Sequence, residues 1–180
     1  ADAVINTRQA GDPYPYKHLS GVGLAYKLAD AYLRTYPQTG VDARDWLDLV
    51  ALGTVADIAP LSGENRALVR AGLDQMRATE RQGLYSLAQV SGIRLENINA
   101  GNIGFGLGPR LNAAGRLDSA LAAFELLTAR DVFNAGMLAQ QLDAQNAQRK
   151  DLTLRVQEQA VQSALQADPD NPVIFAASPE

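Results

Sequence analysis

Residues 45–60 read Asp-Trp-Leu-Asp-Leu-Val-Ala-Leu-Gly-Thr-Val-Ala-Asp-Ile-Ala-Pro. From Trp46 to Val55 the run is apolar almost all round, so it predicts a fully buried core helix rather than an amphipathic one. Asp42 opens this helix and Asp45 sits at its third position, both near the positive end of the helix dipole. Pro60 ends it.

Working outward, the flanks supply mostly further helices. Upstream, Ser20 caps a helix that runs to about Tyr36 and stops at Pro37. Gly21, Ala25, Leu28, Ala29 and Tyr32 are expected on its core face, with Lys27, Asp30 and Arg34 opposite. A loop from Thr7 to Lys17, marked by Gly11, Pro13 and Pro15, precedes it, and Ala3–Asn6 is a short strand candidate. Downstream, Ser62 caps a third helix with an apolar stripe of Leu68, Val69, Leu73 and Met76. Arg66, Arg70, Asp74 and Arg77 share its opposite face at three- and four-residue spacing. A fourth, short helix spans about Gln82–Val90. Residues Asn97–Asp118 are rich in Gly and Asn with little periodicity. Asp118 caps a helix through about Ala129.

Asp131 then caps a helix that meets no proline until Pro169, roughly 38 residues and ~57 Å if continuous. It is apolar at Val132–Leu142 and at Leu152–Leu165, with a polar waist between Asp143 and Asp151. That pattern fits a bridge between two domains, or a helical hairpin broken near Asn146. Pro172–Ser178 reads as a buried strand. The whole is predominantly α-helical with short strands near each end. A strand needs a neighbour and the chain starts at Ala1 without methionine, so we expect a piece of a longer protein.

With no cysteine and one histidine, His18, a disulfide framework, a thiolate zinc site and a multi-histidine metal site are excluded within these 180 residues. No apolar run approaches the ~20 residues that span a bilayer, which makes a soluble, cytoplasmic protein with no membrane partner the expectation. The net charge is −4, yet residues 61–118 carry seven arginines against five acidic side chains. Arginine forks match phosphate oxygens, while a pI near 5.0 argues against nonspecific coating of nucleic acid.

Two places concentrate the chemistry. Asp57 is the only charge between Asp48 and Glu64, and its apolar flanks predict a buried carboxylate, which needs a cation, good donors or a metal. It reads either as a ligand for a hard divalent cation or as a turn aspartate before Pro60. Gly104-Phe-Gly-Leu-Gly-Pro-Arg110-Leu-Asn112-Ala-Ala-Gly115-Arg116 offers a backbone that a ligand can approach closely, with Asn112 and Arg116 four apart as a fork for phosphate. A tight glycine-rich helix contact with solvated arginines reads the same residues equally well.

The order of "NTRQAGDPYPYKHLSGVGLAYKL", "DLVALGTVADIAPLSGENRALVRAGL" and "IGFGLGPRLNAAGRL" resembles the single-strand-specific exonucleases of the DHH phosphoesterase superfamily, over essentially the whole chain. The resemblance implies an α/β parent fold and hydrolysis of single-stranded DNA from the 5′ end, in DNA repair and recombination, with Mn²⁺ or Mg²⁺. It implies Asp57 as a catalytic metal ligand and Arg116, Arg110 and Asn112 as phosphate contacts. Residues 1–117 would be the C-terminal part of the DHH domain, 118–168 a helical connector, and 169–180 the start of a DHH-associated domain. The family's Asp-His-His motif is absent and His18 has the wrong spacing to replace it. His18 is therefore expected to be structural or solvent-facing, and this chain alone is not expected to form a competent two-metal site. A noncatalytic DNA-binding or replication scaffold of the same superfamily, or a phosphodiesterase acting on short oligonucleotides or cyclic dinucleotides, stays open as an alternative.

Overall fold

The computed structural model describes residues 4–37, 40–117 and 120–166. Helix α1 spans Gly21–Thr35, a 3-10 turn covers Ala43–Trp46, and α2 spans Leu47–Ala56. Helices α3 (Gly63–Met76) and α4 (Gln82–Val90) follow. A single turn, α5 (Ala100–Asn102), runs without a break through a π turn (Ile103–Leu107) into α6 (Gly108–Leu117). Helix α7 covers Leu121–Thr128 and α8 covers Val132–Gln166.

Helix α2 lies at the middle, as its composition requires. It packs on α1, α3, α6 and the π turn, and no residue from Trp46 to Ala56 is exposed. Val50, Ala51 and Leu52 join Val69 and Met76 of α3, Leu84 and Leu87 of α4, and Ile103 and Leu107 of the π turn in the buried interior. Burying each such leucine contributes roughly 1.5–3 kcal/mol. The first half of α8 closes this core through Ala135, Ala139 and Leu142, against α4, α6 and α7. Two glycines set how closely helices approach. A Cβ at Gly72 would collide with the Leu47 carbonyl oxygen, and one at Gly83 would collide with that of Leu126.

Several local expectations hold. The Ser20 side chain accepts a hydrogen bond from the Gly23 N–H, and the Asp131 carboxylate accepts one from the Asn134 N–H at 2.7 Å. Helix α8 is unbroken at Asn146, which is itself buried, so the hairpin reading is set aside. From Lys150 to Ala164 no residue of α8 is buried by the described residues.

Others are corrected. Val4–Asn6 form no strand; the Asn6 carboxamide oxygen instead accepts from the Arg8 N–H and turns the chain. The strand expected at Pro172–Ser178 and the cap expected at Asp118 lie outside the described residues. Asp42 caps the 3-10 turn rather than α2 itself, and Ser62 makes no side-chain cap. Helix α1 is rotated from its expected face: Leu28 and Tyr32 are exposed, while Val22, Gly23 and Lys27 turn inward. Lys27 is drawn to this side, its ammonium donating to Glu64 of α3 at 2.7 Å. The stretch from Asn97 to Leu117 is mostly helix despite its glycines. Pro109 lacks the N–H that would reach the Phe105 carbonyl, and the chain accommodates this by widening to a π turn just before it, with the Gly108 N–H donating to Ile103.

Candidate functional site

Helix α2 ends in a Schellman turn. The Ala59 N–H donates to the Thr54 carbonyl at 3.2 Å and the Ile58 N–H donates to that of Val55 at 3.0 Å. The left-handed residue of this turn is Ile58, at φ 55°. Glycine is the usual occupant there, and a β-branched side chain costs roughly 1–2 kcal/mol. Ile58 is 90% exposed, so its own burial does not offset that strain.

Asp57 sits one residue earlier, as the C-terminal cap of α2. Its backbone N–H donates to Gly53 at 3.0 Å. Its carboxylate is exposed and has neither a hydrogen bond nor an ion pair among the described residues. The expectation of a buried carboxylate is therefore corrected, because the left-handed turn carries the chain out of the core at this point. The turn is nevertheless fixed. The buried Asn65 carboxamide donates to the Pro60 carbonyl at 3.0 Å and to that of His18 at 2.7 Å. The Tyr16 hydroxyl donates to the Ser62 carbonyl at 2.8 Å, and the Ser20 and Thr54 hydroxyls bond to each other at 2.8 Å.

The buried carboxylate of α2 is Asp48, 1% exposed. It accepts from the Arg81 guanidinium at 2.7 Å, and Arg81 also donates to the Asp45 carbonyl at 2.8 Å. The charge interrupting the apolar run at position 48 is the available signal for it. Nothing local marks Asn65 or the strain at Ile58.

Of the residues named from sequence, Asp57 and Asn112 come together, lining one hollow with Gly53, Ala56 and Leu111. Asn112 is exposed. Arg116 lies on α6 four residues further on, the spacing of one helix face. Arg110 is turned to α8. Its guanidinium donates to Asp143 at 2.8 Å and to the Gly106 carbonyl at 2.9 Å, and its side chain is 14% exposed. Gly106 and Gly108 serve close contacts: a Cβ at the first would meet Ile93, in the loop after α4, at 2.5 Å, and one at the second would meet Ala56 of α2 at 3.3 Å. His18 is exposed and rests edge-on against Tyr16, with ring centroids 5.7 Å apart.

An exposed, unpaired carboxylate on a pinned turn suits one position on a hard divalent cation. Among the described residues no group of three or more His, Cys, Asp or Glu side chains is gathered that could hold a metal, and no helix is long and apolar enough to cross a membrane.

No protein-family model matches the chain. Curated relatives do. The chain is 39% identical over 175 residues to the single-stranded-DNA-specific exonuclease RecJ of Bacillus subtilis, covering 97% of this chain and 22% of that protein. It is 41% identical over 172 residues to RecJ of Escherichia coli, covering 89% of this chain and 30% of that protein. The chain thus spans less than a third of the length of these relatives. Its backbone matches a crystal structure of exonuclease RecJ bound to manganese, with TM-score 0.75 and 35% identity, over 89% of this chain and 40% of that one. A crystal structure of RecJ from Thermus thermophilus in complex with Mg²⁺ matches with TM-score 0.73 and 35% identity, over 87% of this chain and 24% of that one. Identity of this level along nearly the whole chain, together with a shared backbone, makes the chain similar over almost all of its length to one segment of RecJ.

Proposed function

We propose that this chain is one segment of a metal-dependent 5′→3′ exonuclease that hydrolyses single-stranded DNA in the cytoplasm, in DNA repair and recombination. The observation that carries the reading is the match of nearly the whole chain to proteins named for single-strand-specific exonuclease activity. It is supported by an unpaired carboxylate held on a rigid turn at the matching GTVAD segment.

In this reading Asp57 supplies one ligand to Mn²⁺ or Mg²⁺, the remaining ligands coming from outside the described residues. Bound cations of this kind generate hydroxide at neutral pH and stabilise the attacking and leaving oxygens of a phosphodiester displacement. The chain's own residues then orient the substrate. Asn112, sharing the hollow with Asp57, and Arg116, one turn along α6, hold a phosphate, while Arg110, paired with Asp143, positions that segment and is not free to reach the phosphate itself. Residues 1–117 are read as the C-terminal part of a DHH domain of α/β type, 118–168 as the connector dominated by α8, and 169–180 as the start of the DHH-associated domain.

The test is release of nucleotides from 5′- and 3′-labelled single-stranded oligonucleotides by the whole protein, with and without Mn²⁺. Metal-dependent release from the 5′ end in the wild type, and none in Asp57→Ala, is the expected result. Wild-type activity in Asp57→Ala removes the residue from the metal site. Absence of activity in the wild type favours a noncatalytic role.

A further inference from the structure

The hollow that holds Asp57 and Asn112 does not end there. It shares Ala56 and Asn112 with a second hollow, whose walls include Ile58, Gly104 and Phe105. That one shares Leu61 and Ala100 with a third, walled by Val69 and Leu73 and rimmed by Arg66, Arg70 and Arg77 of α3. Neighbouring hollows thus share wall residues, and the three taken together as one channel lead from the candidate metal ligand to the arginine face of α3.

Its lining is unusual for a folding surface. Ile58 and Phe105 are each 90% exposed, and Ile58 also carries backbone strain. The side chains of Arg66 and Arg70 have no hydrogen bond or ion pair among the described residues. Arg77 is tied to Asp74 and donates more weakly to the Ile98 carbonyl at 3.4 Å. Three arginines against one aspartate leave the far end of the channel cationic. From position 66 to position 77 the row runs about 16 Å along the helix. Exposed apolar platforms in the middle hollow, followed by the unpaired guanidinium groups of Arg66 and Arg70 in the next, suit a polymer that carries both flat apolar bases and phosphates. An acidic peptide would use the arginines and leave Phe105 and Ile58 idle.

We propose that this channel is a track for the part of a single strand that lies away from the cleavage point, with Phe105 and Ile58 contacting bases and Arg66 and Arg70 contacting backbone phosphates. The proposal rests on the exonuclease reading and adds a binding surface outside the residues named for it. Stacking on an exposed aromatic tolerates any base, and guanidinium contacts to phosphate are sequence-independent. The track therefore lengthens the footprint without imposing sequence preference.

The test is fluorescence anisotropy with a trinucleotide and a 20-nucleotide oligothymidine, titrated against the protein at several salt concentrations. Arg66 and Arg70 are exposed and unpaired, so the double variant R66A/R70A should fold normally, as circular dichroism will check. It should lower the slope of log K against log salt by about 1.4 for the long oligonucleotide, about 0.7 for each phosphate contact. The trinucleotide, which fills only the Asp57 end, should show no change. Phe105→Ala should weaken the long oligonucleotide at least about fivefold while keeping the wild-type slope. An unchanged slope in R66A/R70A beside normal wild-type binding overturns the track alone. Equal losses for both oligonucleotides also overturn it, since they place the arginines at the cleavage end. Loss of binding to a polyglutamate peptide with oligonucleotide binding intact overturns it in favour of a protein partner. No oligonucleotide binding by the wild type overturns both the track and the exonuclease reading.

Discussion

The two ends of α2 carry one carboxylate each, and they are treated in opposite ways. Asp48 near the start is sealed in the interior with Arg81 wrapped around it. Asp57 at the end is in water and unpaired, on a turn that several side chains from other elements hold in place. A carboxylate that stabilises the fold is given a partner, and a carboxylate kept for a ligand is given a rigid mount and left open. The strain at Ile58 belongs with the second pattern, because a strained and exposed residue persists only where its surroundings over-determine it.

Substitutions at the two ends should separate these roles. The largest effect is expected from Asp57→Ala, which should bring Mn²⁺-dependent nucleotide release to background while shifting stability by no more than about 0.5 kcal/mol, the usual range for exposed sites. A drop in thermal midpoint large enough to explain the lost activity would erase the contrast. Arg81→Met should do the reverse. It strands Asp48 as an uncompensated buried charge and should cost about 3–5 kcal/mol in urea unfolding, with the activity of the remaining folded protein near wild type. A cost under about 1 kcal/mol would mean that water reaches Asp48 readily.

Ile58→Gly probes the turn itself. Glycine relieves the left-handed strain, so a gain of about 1 kcal/mol in unfolding free energy is expected, together with weaker binding of long oligonucleotides. A loss of stability would show that Ile58 is held by contacts rather than strained by its turn. The smallest effect concerns Glu64, which Lys27 and Tyr14 bind at 2.7 and 2.8 Å. Burial alone would push its carboxyl up, but the bonds from Lys27 and Tyr14 together hold it below the usual glutamate value of 4.5. Its stabilising contribution is therefore complete above pH 4.5 and is lost as pH falls through the lowered native value. With both side chains about one-third exposed, about 1 kcal/mol or less is at stake. Glu64→Gln should flatten the acid limb of the stability curve by that amount, and an unchanged limb would assign it to other carboxylates.

How much of this is legible in the sequence depends on whether the cause is local. The caps at Ser20 and Asp131, the Gln82–Val90 helix and the unbroken possibility of α8 follow from residues a few positions apart. Asp57 stands out as the lone charge in an apolar stretch, yet its exposure does not, since composition does not reveal a left-handed turn built on isoleucine. The face of α1 is misread from local pattern, which does not show that Lys27 finds its partner 37 residues away in Glu64. The Asp48–Arg81 and Arg110–Asp143 pairs each span 33 residues and leave no trace in local pattern. The continuous helix through residues 100–117 is obscured by glycines that serve close contacts and by a proline absorbed in a π turn.

The length of α8 has a mechanical consequence. Its first half is clamped into the core at Ala135, Ala139, Leu142 and Asn146, with Arg110 gripping Asp143 from α6. The stretch beyond Lys150 extends about 25 Å further without burial by the described residues. Any pivoting at the Arg110–Asp143 bond would make the rest of the helix a lever. From Asp143 to Gln166 the arm is about 35 Å, so a tilt of about 5° at the clamp carries the far end through about 3 Å. A residue named at first for phosphate contact thus also stands where a small change at the glycine-rich segment is geometrically amplified along the helix.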